Sequence, residues 1–162
     1  MSYPDDLLEQ PEYLANREIE NPRQASLRRA ISSAYYALFH LLVSESVSQW
    51  GIAYQRHQLA RIFDHARMNV ASTRVLNEKL FPFIGQDPAS VAHLKTIATT
   101  FNELYEHRQT ADYDNSTQWS RSEVLALIDL VKEAFKSLNA IRSESIANDY
   151  LLSLFVKERQ QK

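Results

Sequence analysis

The sequence contains no cysteine, and only two glycines and five prolines, among its 162 residues. The absence of cysteine excludes disulfides and thiolate chemistry, so we expect a protein of the reducing cytoplasm. Because residues that favour turns are scarce, long helices are favoured over many short strands. No apolar run approaches the roughly 20 residues that a membrane span needs, and we expect no membrane association. The acidic N-terminal segment lacks a positively charged region, so we expect no signal peptide.

What the chain does contain is typical of one globular domain covering residues 1–162. It is 44% hydrophobic and 23% charged, and it is long enough to bury a core. The formal net charge of −2 argues against non-specific nucleic-acid binding over the whole surface, which requires a basic face. The net charge does not argue against a local basic patch.

Apolar residues recur every three or four positions along most of the chain, and no segment alternates as a strand does. Asn21-Pro22 and Asp87-Pro88 are each typical of a capping residue followed by proline at the first helical position. Ser120 and Glu123 match a capping box. The predicted helices cover about 5–15 with an interruption near Pro11, 22–49, 55–67, 73–80 ended by Pro82, 87–112 and 120–141, then a bend or separate helix before a basic tail at 157–162. The predicted fold class is all-α, an up-and-down bundle of four or more helices with additional short terminal helices.

The first long helix carries a polar stripe that core packing does not require. Its predicted core face contains Leu27, Ile31, Ala34, Leu38, Leu41 and Leu42. On the opposite side, within roughly 60° of one another, lie Arg29, Ser33, Tyr36 and His40, flanked by Arg28, Ser32 and Phe39. Such side chains suit hydrogen bonding and stacking against a ligand or partner. The alternative is an exposed polar face whose aromatic rings make small local contacts.

A second polar group lies near the end of the helix predicted over 87–112. Arg108 and Asp112 fall on the same stripe as apolar residues of that helix, whereas His107 points to the other side. A lone buried charge is costly, so the pattern predicts a mutual ion pair with further partners for the guanidinium. With the acid C-terminal to the base, the order is the weaker one for local helix stabilisation. A structural pair and a functional site are equal alternatives.

Other candidate sites are weaker. His57, Arg61 and His65 recur at four-residue spacing on the helix predicted over 55–67, but the two histidines would lie about 12 Å apart along its axis, too far to share a metal. Glu103 and His107 form a pair without a visible third ligand. We predict no metal site and no cofactor, and there is no glycine-rich phosphate loop.

Arg28–His40 and the segment from Arg108 to Tyr113 together resemble HEPN domains, the higher eukaryote and prokaryote nucleotide-binding helical bundles. The shared pattern is arginine, small residues, Tyr-Tyr-Ala, any residue, Phe-His in one helix, and Arg-x-x-x-Asp-Tyr at the end of a later one. The resemblance spans about residues 22–138. It implies a helical bundle that is usually dimeric and is associated with RNA processing, toxin–antitoxin pairs or defence, often beside a nucleotidyltransferase partner.

The resemblance also implies a site from which this chain departs. Active HEPN ribonucleases carry an arginine and a histidine separated by four to six residues, and they act without a metal. Counted from Arg108, the corresponding positions hold Tyr113, Asp114 and Asn115. His40, on the first long helix, is the histidine that would have to take the missing one's place. The catalytic candidates are therefore Arg108, His40 and Asp112.

Three functional hypotheses follow. The first is a HEPN-like RNA- or nucleotide-associated module of a toxin–antitoxin or defence system, without the standard ribonuclease site. Its predicted binding face consists of Arg28, Arg29, Ser33, Tyr36, His40, Arg108, Asp112 and Tyr113. The second is a protein-interaction or dimerisation subunit, and the third is a metal-independent endoribonuclease with a rearranged site. The expected partners are RNA or a nucleotide, a nucleotidyltransferase and a second copy of the chain.

Overall fold

A computed structural model describes residues 2–81 and 83–156, which leaves Met1, Pro82 and the tail at 157–162 outside the described residues. Within these ranges the chain forms helices joined by turns and no strand, which confirms the predicted all-α class. The helices are α1 (Tyr3–Ala15), α2 (Gln24–Ser48), α3 (Ala53–Ala60), α4 (His65–Val75), α5 (Pro88–Tyr113), α6 (Arg121–Ile141) and α7 (Ser145–Ser153). None of them is long and apolar enough to cross a membrane.

The central element of the bundle is α2. It packs against α1, α5 and α6, and it also contacts α3 and α7. The predicted core face is buried, and so are Ser32, Tyr35 and Phe39, because neighbouring helices cover α2 on several sides. The stripe of Arg29, Ser33, Tyr36 and His40 stays partly accessible. The burial of α2 thus leaves one narrow polar strip open.

Two of the three predicted helix starts are confirmed. Ser120 Oγ accepts from the Glu123 amide at 3.2 Å and the Glu123 carboxylate accepts from the Ser120 amide at 2.7 Å, so the capping box precedes α6. Asp87 precedes α5, which begins with Pro88. The start at Asn21 is wrong: this residue adopts a φ of 51°, which asparagine tolerates in turns, and α2 begins only at Gln24.

The helix predicted over 55–67 is wrong because the chain breaks it in two. The carboxylate of Asp64 accepts from the Arg67 amide at 2.8 Å and caps a new helix, α4. His57 and His65 therefore belong to different helices. The helix predicted over 73–80 is also wrong, since α4 already ends at Val75 and turns follow.

The predicted interruption near Pro11 is wrong as well. α1 continues to Ala15, and Pro11 is buried within it. A proline removes one backbone hydrogen bond from a helix interior. The packing of α1 along α2 and α6 holds the helix together despite that loss. After Arg142 the chain forms a separate helix, α7, and not a bend in α6.

Candidate functional site

Arg108, near the end of α5, joins the two polar groups that the sequence singles out. Its Nη2 donates to the Tyr36 hydroxyl at 2.9 Å. The guanidinium carbon lies 5.5 Å from the ring centroids of both Tyr35 and Tyr36, and 5.9 Å from that of Tyr113. Only 12% of the Arg108 side chain is exposed. The cation is therefore enclosed by three tyrosine rings, a favourable cation–π arrangement.

Asp112 completes the surroundings of this cation. Its Oδ2 lies 3.1 Å from Arg108 Nε, which confirms the predicted ion pair, although Nε makes no well-aligned hydrogen bond. Its Oδ1 accepts a hydrogen bond from the buried hydroxyl of Ser32 on α2. Burial alone lowers the pKa of Arg108, but the Tyr36 hydrogen bond and the nearby Tyr36 and Asp112 raise it further than burial lowers it. Arg108 therefore stays charged.

His65, the first residue of α4, also belongs to this site, which the spacing of residues along the sequence does not predict. Its Nδ1 lies 2.7 Å from the hydroxyl of Tyr35, with which it shares a hydrogen bond, and its ring stacks on Phe39 at 4.2 Å between centroids. Burial, together with the positive charge of Arg108, lowers the pKa of His65. The imidazole is thus neutral near pH 7. The available signal was Asp64, a capping residue that restarts the helix directly before His65.

His40 lies on the other side of Tyr36. Its ring is 6.4 Å from the Tyr36 ring and 5.2 Å from the Tyr3 ring of α1. Burial lowers the pKa of His40, so this imidazole is neutral near pH 7 as well. Among the contacts of the described residues, His40 makes no hydrogen bond or ion pair with Arg108. Tyr36, in contact with both residues, connects them.

The accessible part of the site is small. Arg29 is exposed and has no hydrogen-bond or ion-pair partner within residues 2–81 and 83–156. Ser33 is half-buried, and Tyr113 is 73% exposed at the end of α5. These three side chains supply a cation, a hydroxyl and a ring face to the solvent.

Arg28 has a different environment from its neighbour Arg29. Its Nη1 donates to the carbonyl oxygens of Ala111 at 3.0 Å and Asp114 at 2.6 Å, and its Nη2 donates to that of Thr117 at 2.6 Å. Carbonyls at a helix C-terminus lack partners within the helix, and a cation there is favourable. Arg28 therefore caps α5 and fixes the turn that follows it, and the structure does not bring it to the Arg108 cation.

His107 points away from the site, as predicted. Its ring lies 5.4 Å from that of Trp119, and its Nε2 is 3.7 Å from a carboxylate oxygen of Glu103. In the part of the chain that the structure describes, no three His, Cys, Asp or Glu side chains gather as a metal site would require.

Comparison with protein-family models and with curated proteins gave no match, and no solved structure matched this fold. Similarity to known proteins therefore assigns no family to the chain.

Proposed function

We propose that this protein is a HEPN-like module that binds RNA or a nucleotide and lacks the standard ribonuclease site. The observation that carries the proposal is the direct contact between the two segments of the resemblance. Tyr36 accepts from Arg108, and Asp112 accepts from Ser32. The two segments therefore contribute side chains to one polar site between α2 and α5.

Some residues of this site would contact the RNA, and others hold those residues in position. Arg108 is already paired with Asp112, so it positions the Tyr36 ring and contributes little free charge. Arg29 is the exposed cation and would contact phosphate, since arginine matches phosphate geometry. Tyr113 offers a ring face on which a base stacks.

RNA binding tests the proposal. Fluorescence anisotropy with a labelled single-stranded RNA should give an affinity that falls as salt rises, because phosphate contacts release counterions. Arg29→Ala should weaken binding and flatten the salt dependence without changing the fold. Arg108→Ala should weaken binding too, and Lys136→Ala on α6, at an exposed lysine outside the site, is the matched control. Unchanged binding in Arg29→Ala and Arg108→Ala would reject this site.

A second candidate function is metal-independent RNA cleavage at a rearranged site, and the position of His65 favours it. A neutral imidazole close to an arginine is the pair that such cleavage uses. His65 would take the proton of the 2′-hydroxyl as its oxygen bonds to phosphorus. The bond from phosphorus to the 5′-oxygen would break, and the 5′-oxygen would take a proton from water, which leaves a 2′,3′-cyclic phosphate. Arg108 would stabilise the charge on the phosphoryl oxygens.

Cleavage is tested by incubating RNA with the protein in a chelator. The rearranged site predicts fragments that disappear in both His65→Ala and Arg108→Ala. Equal cleavage by these variants and the wild type would point to a contaminating nuclease and reject this candidate function.

The biological setting belongs to the same proposal and rests on the resemblance. It comprises a cytoplasmic homodimer, a nucleotidyltransferase partner, and a toxin–antitoxin or defence role. Co-purification with a nucleotidyltransferase encoded beside the gene would support it.

If the protein is instead a dimerisation subunit that uses the tyrosine-rich helix, Tyr36→Ala or His40→Ala should change the mass measured by light scattering. An unchanged mass would reject that alternative.

A further inference from the structure

The short helix α3 and the residues before it form a surface that the site between α2 and α5 does not use. Among the seven helices described, α3 alone contributes no buried residue. Trp50 is 51% exposed and Tyr54 is 62% exposed. Large apolar side chains grouped on a surface mark interaction sites more often than single ones do.

The two aromatic rings are held in place by a glutamine between them. Gln55 Oε1 accepts from the indole Nε1 of Trp50 at 2.6 Å, and Gln55 Nε2 donates to the Tyr54 hydroxyl at 3.3 Å. Arg56 Nη1 donates to the Trp50 carbonyl at 2.6 Å and fixes the backbone beside the ring. Binding to rings that are already fixed costs less conformational entropy than binding to rings that must first become ordered.

The charge of this segment is opposite in sign to that of the whole chain. Residues 46–63 contain Arg56, His57 and Arg61 and no acidic residue, whereas the chain has a net charge of −2. Arg61 is exposed, and α3 has no carboxylate of its own to neutralise either arginine. The segment is therefore a local basic patch on a chain whose net charge is negative.

We infer that Trp50 and α3 form a stacking platform for single-stranded RNA, an inference that rests on the proposed function. Bases stack on the faces of Trp50 and Tyr54, and phosphates contact Arg56 and Arg61. The platform is connected to the proposed site along the chain, because α4, the helix after α3, begins at His65, which bonds to Tyr35.

The chemistry of the rings favours RNA over an acidic protein segment. The single polar atom of the Trp50 side chain is already hydrogen-bonded, so what this residue offers is an apolar ring face. An acidic peptide would be bound by the cations alone and would leave the rings without a role. Bases of a single strand are open to stacking, whereas those of a duplex already stack on one another.

Intrinsic fluorescence provides the experiment, because the chain has two tryptophans. In a Trp119→Phe background, Trp50 is the remaining indole, and a 12-nucleotide oligouridylate should quench it while the matched duplex should not. Stacking contributes about 1–3 kcal/mol per base, so Trp50→Ala or Tyr54→Ala, measured by anisotropy, should weaken binding at least about fivefold. Trp50→Phe should retain most of the affinity, and Gln55→Ala should lose part of it.

The matched control is Tyr13→Ala, which removes a 69% exposed tyrosine from α1. Circular dichroism of every variant checks that the fold is intact, which we expect because α3 contributes no buried side chain to the core.

Wild-type affinity for RNA in both Trp50→Ala and Tyr54→Ala, with loss of affinity in Arg29→Ala, would overturn the platform and leave the proposed function standing. Loss in the ring variants alone would support the platform and reject the site between α2 and α5. Binding of poly-glutamate but not of oligouridylate would assign the surface to an acidic protein and overturn the inference.

Discussion

Asp112 is a single carboxylate that serves two helices. One of its oxygens faces the Arg108 cation and the other accepts from Ser32, whose side chain is buried in α2. Asp112→Ala leaves the hydroxyl of Ser32 without its partner and the cation without its counter-charge. Hydrogen bonds to charged groups contribute about 1.5–3 kcal/mol. We expect the free energy of unfolding in urea to fall by about 1–3 kcal/mol.

The control for this prediction lies on the same helix. Glu106 is exposed, and its carboxylate has no partner among the contacts of residues 2–81 and 83–156. Glu106→Ala should change the free energy of unfolding by less than about 0.5 kcal/mol. If the free energy of unfolding falls equally in the two variants, Asp112 is an ordinary surface residue, and its contact with α2 does not stabilise the fold.

His65 makes folding stability depend on pH. Its pKa is lowered in the folded protein by burial and by Arg108, from an ordinary value of 6.5. The unfolded chain therefore binds a proton at His65 more readily than the folded chain does. Stability is complete above about pH 6.5 and falls as the pH drops below that value. His40 shifts in the same direction and adds to the effect.

Urea unfolding at pH 7.5, 6.5 and 5.5 measures this dependence. In His65→Gln the decrease between pH 7.5 and 5.5 should be smaller than in the wild type, while the stability at pH 7.5 also drops through the altered contact with Tyr35. Gln58→Ala, at an exposed residue of α3 that does not titrate, is the control and should keep the wild-type slope. An equal slope in His65→Gln would mean that burial does not lower the pKa of His65.

The sequence predicts part of the site at this scale and misses the rest for a physical reason. The pair of Arg108 and Asp112 follows from spacing within one helix, and so does the need for a further partner, which is Tyr36. The contact of His65 with Tyr35 joins residues that are 30 positions apart. Such contacts depend on how helices pack, and the periodicity of one segment does not contain that information.

At the scale of a helix, the end of α5 depends on a side chain from α2. Arg28 donates to the carbonyls of Ala111, Asp114 and Thr117 and so satisfies groups that the helix cannot pair itself. Arg28→Ala should lower the free energy of unfolding by about 1.5–3 kcal/mol and speed amide exchange near residues 111–118. The neighbouring Arg29→Ala should change neither, because Arg29 is exposed. Similar decreases in the free energy of unfolding of both variants would contradict the capping role of Arg28.

Two of the three helix starts that were predicted from local signals are correct. The capping box of Ser120 and Glu123, and the proline at the start of α5, depend on a few adjacent residues. Of the four predictions that failed, two show a competition between local signals and the effect of packing. Asp64 restarts the helix inside a segment whose apolar spacing continues, and Pro11 stays helical because α1 is packed along α2.

At the scale of the whole molecule, the buried side chains form one continuous core. Residues from α1, α2, α4, α5, α6 and α7 belong to a single cluster, with α2 at its centre. A shared core predicts cooperative unfolding of these six helices, because none of them can lose its contacts without exposing those of its neighbours. Far-ultraviolet circular dichroism, which reports all helices, and the fluorescence of Trp119 in a Trp50→Phe variant should give the same urea midpoint.

A core substitution extends the same argument. Leu38 is fully buried in α2, and Leu38→Ala should lower the free energy of unfolding by about 2–5 kcal/mol while both probes keep a common midpoint. Leu152→Ala, at a 52% exposed leucine of α7, should shift the midpoint little. If the circular dichroism of Leu38→Ala fell in two steps, part of the bundle would be folding independently of α2, and the core would not be a single cooperative unit.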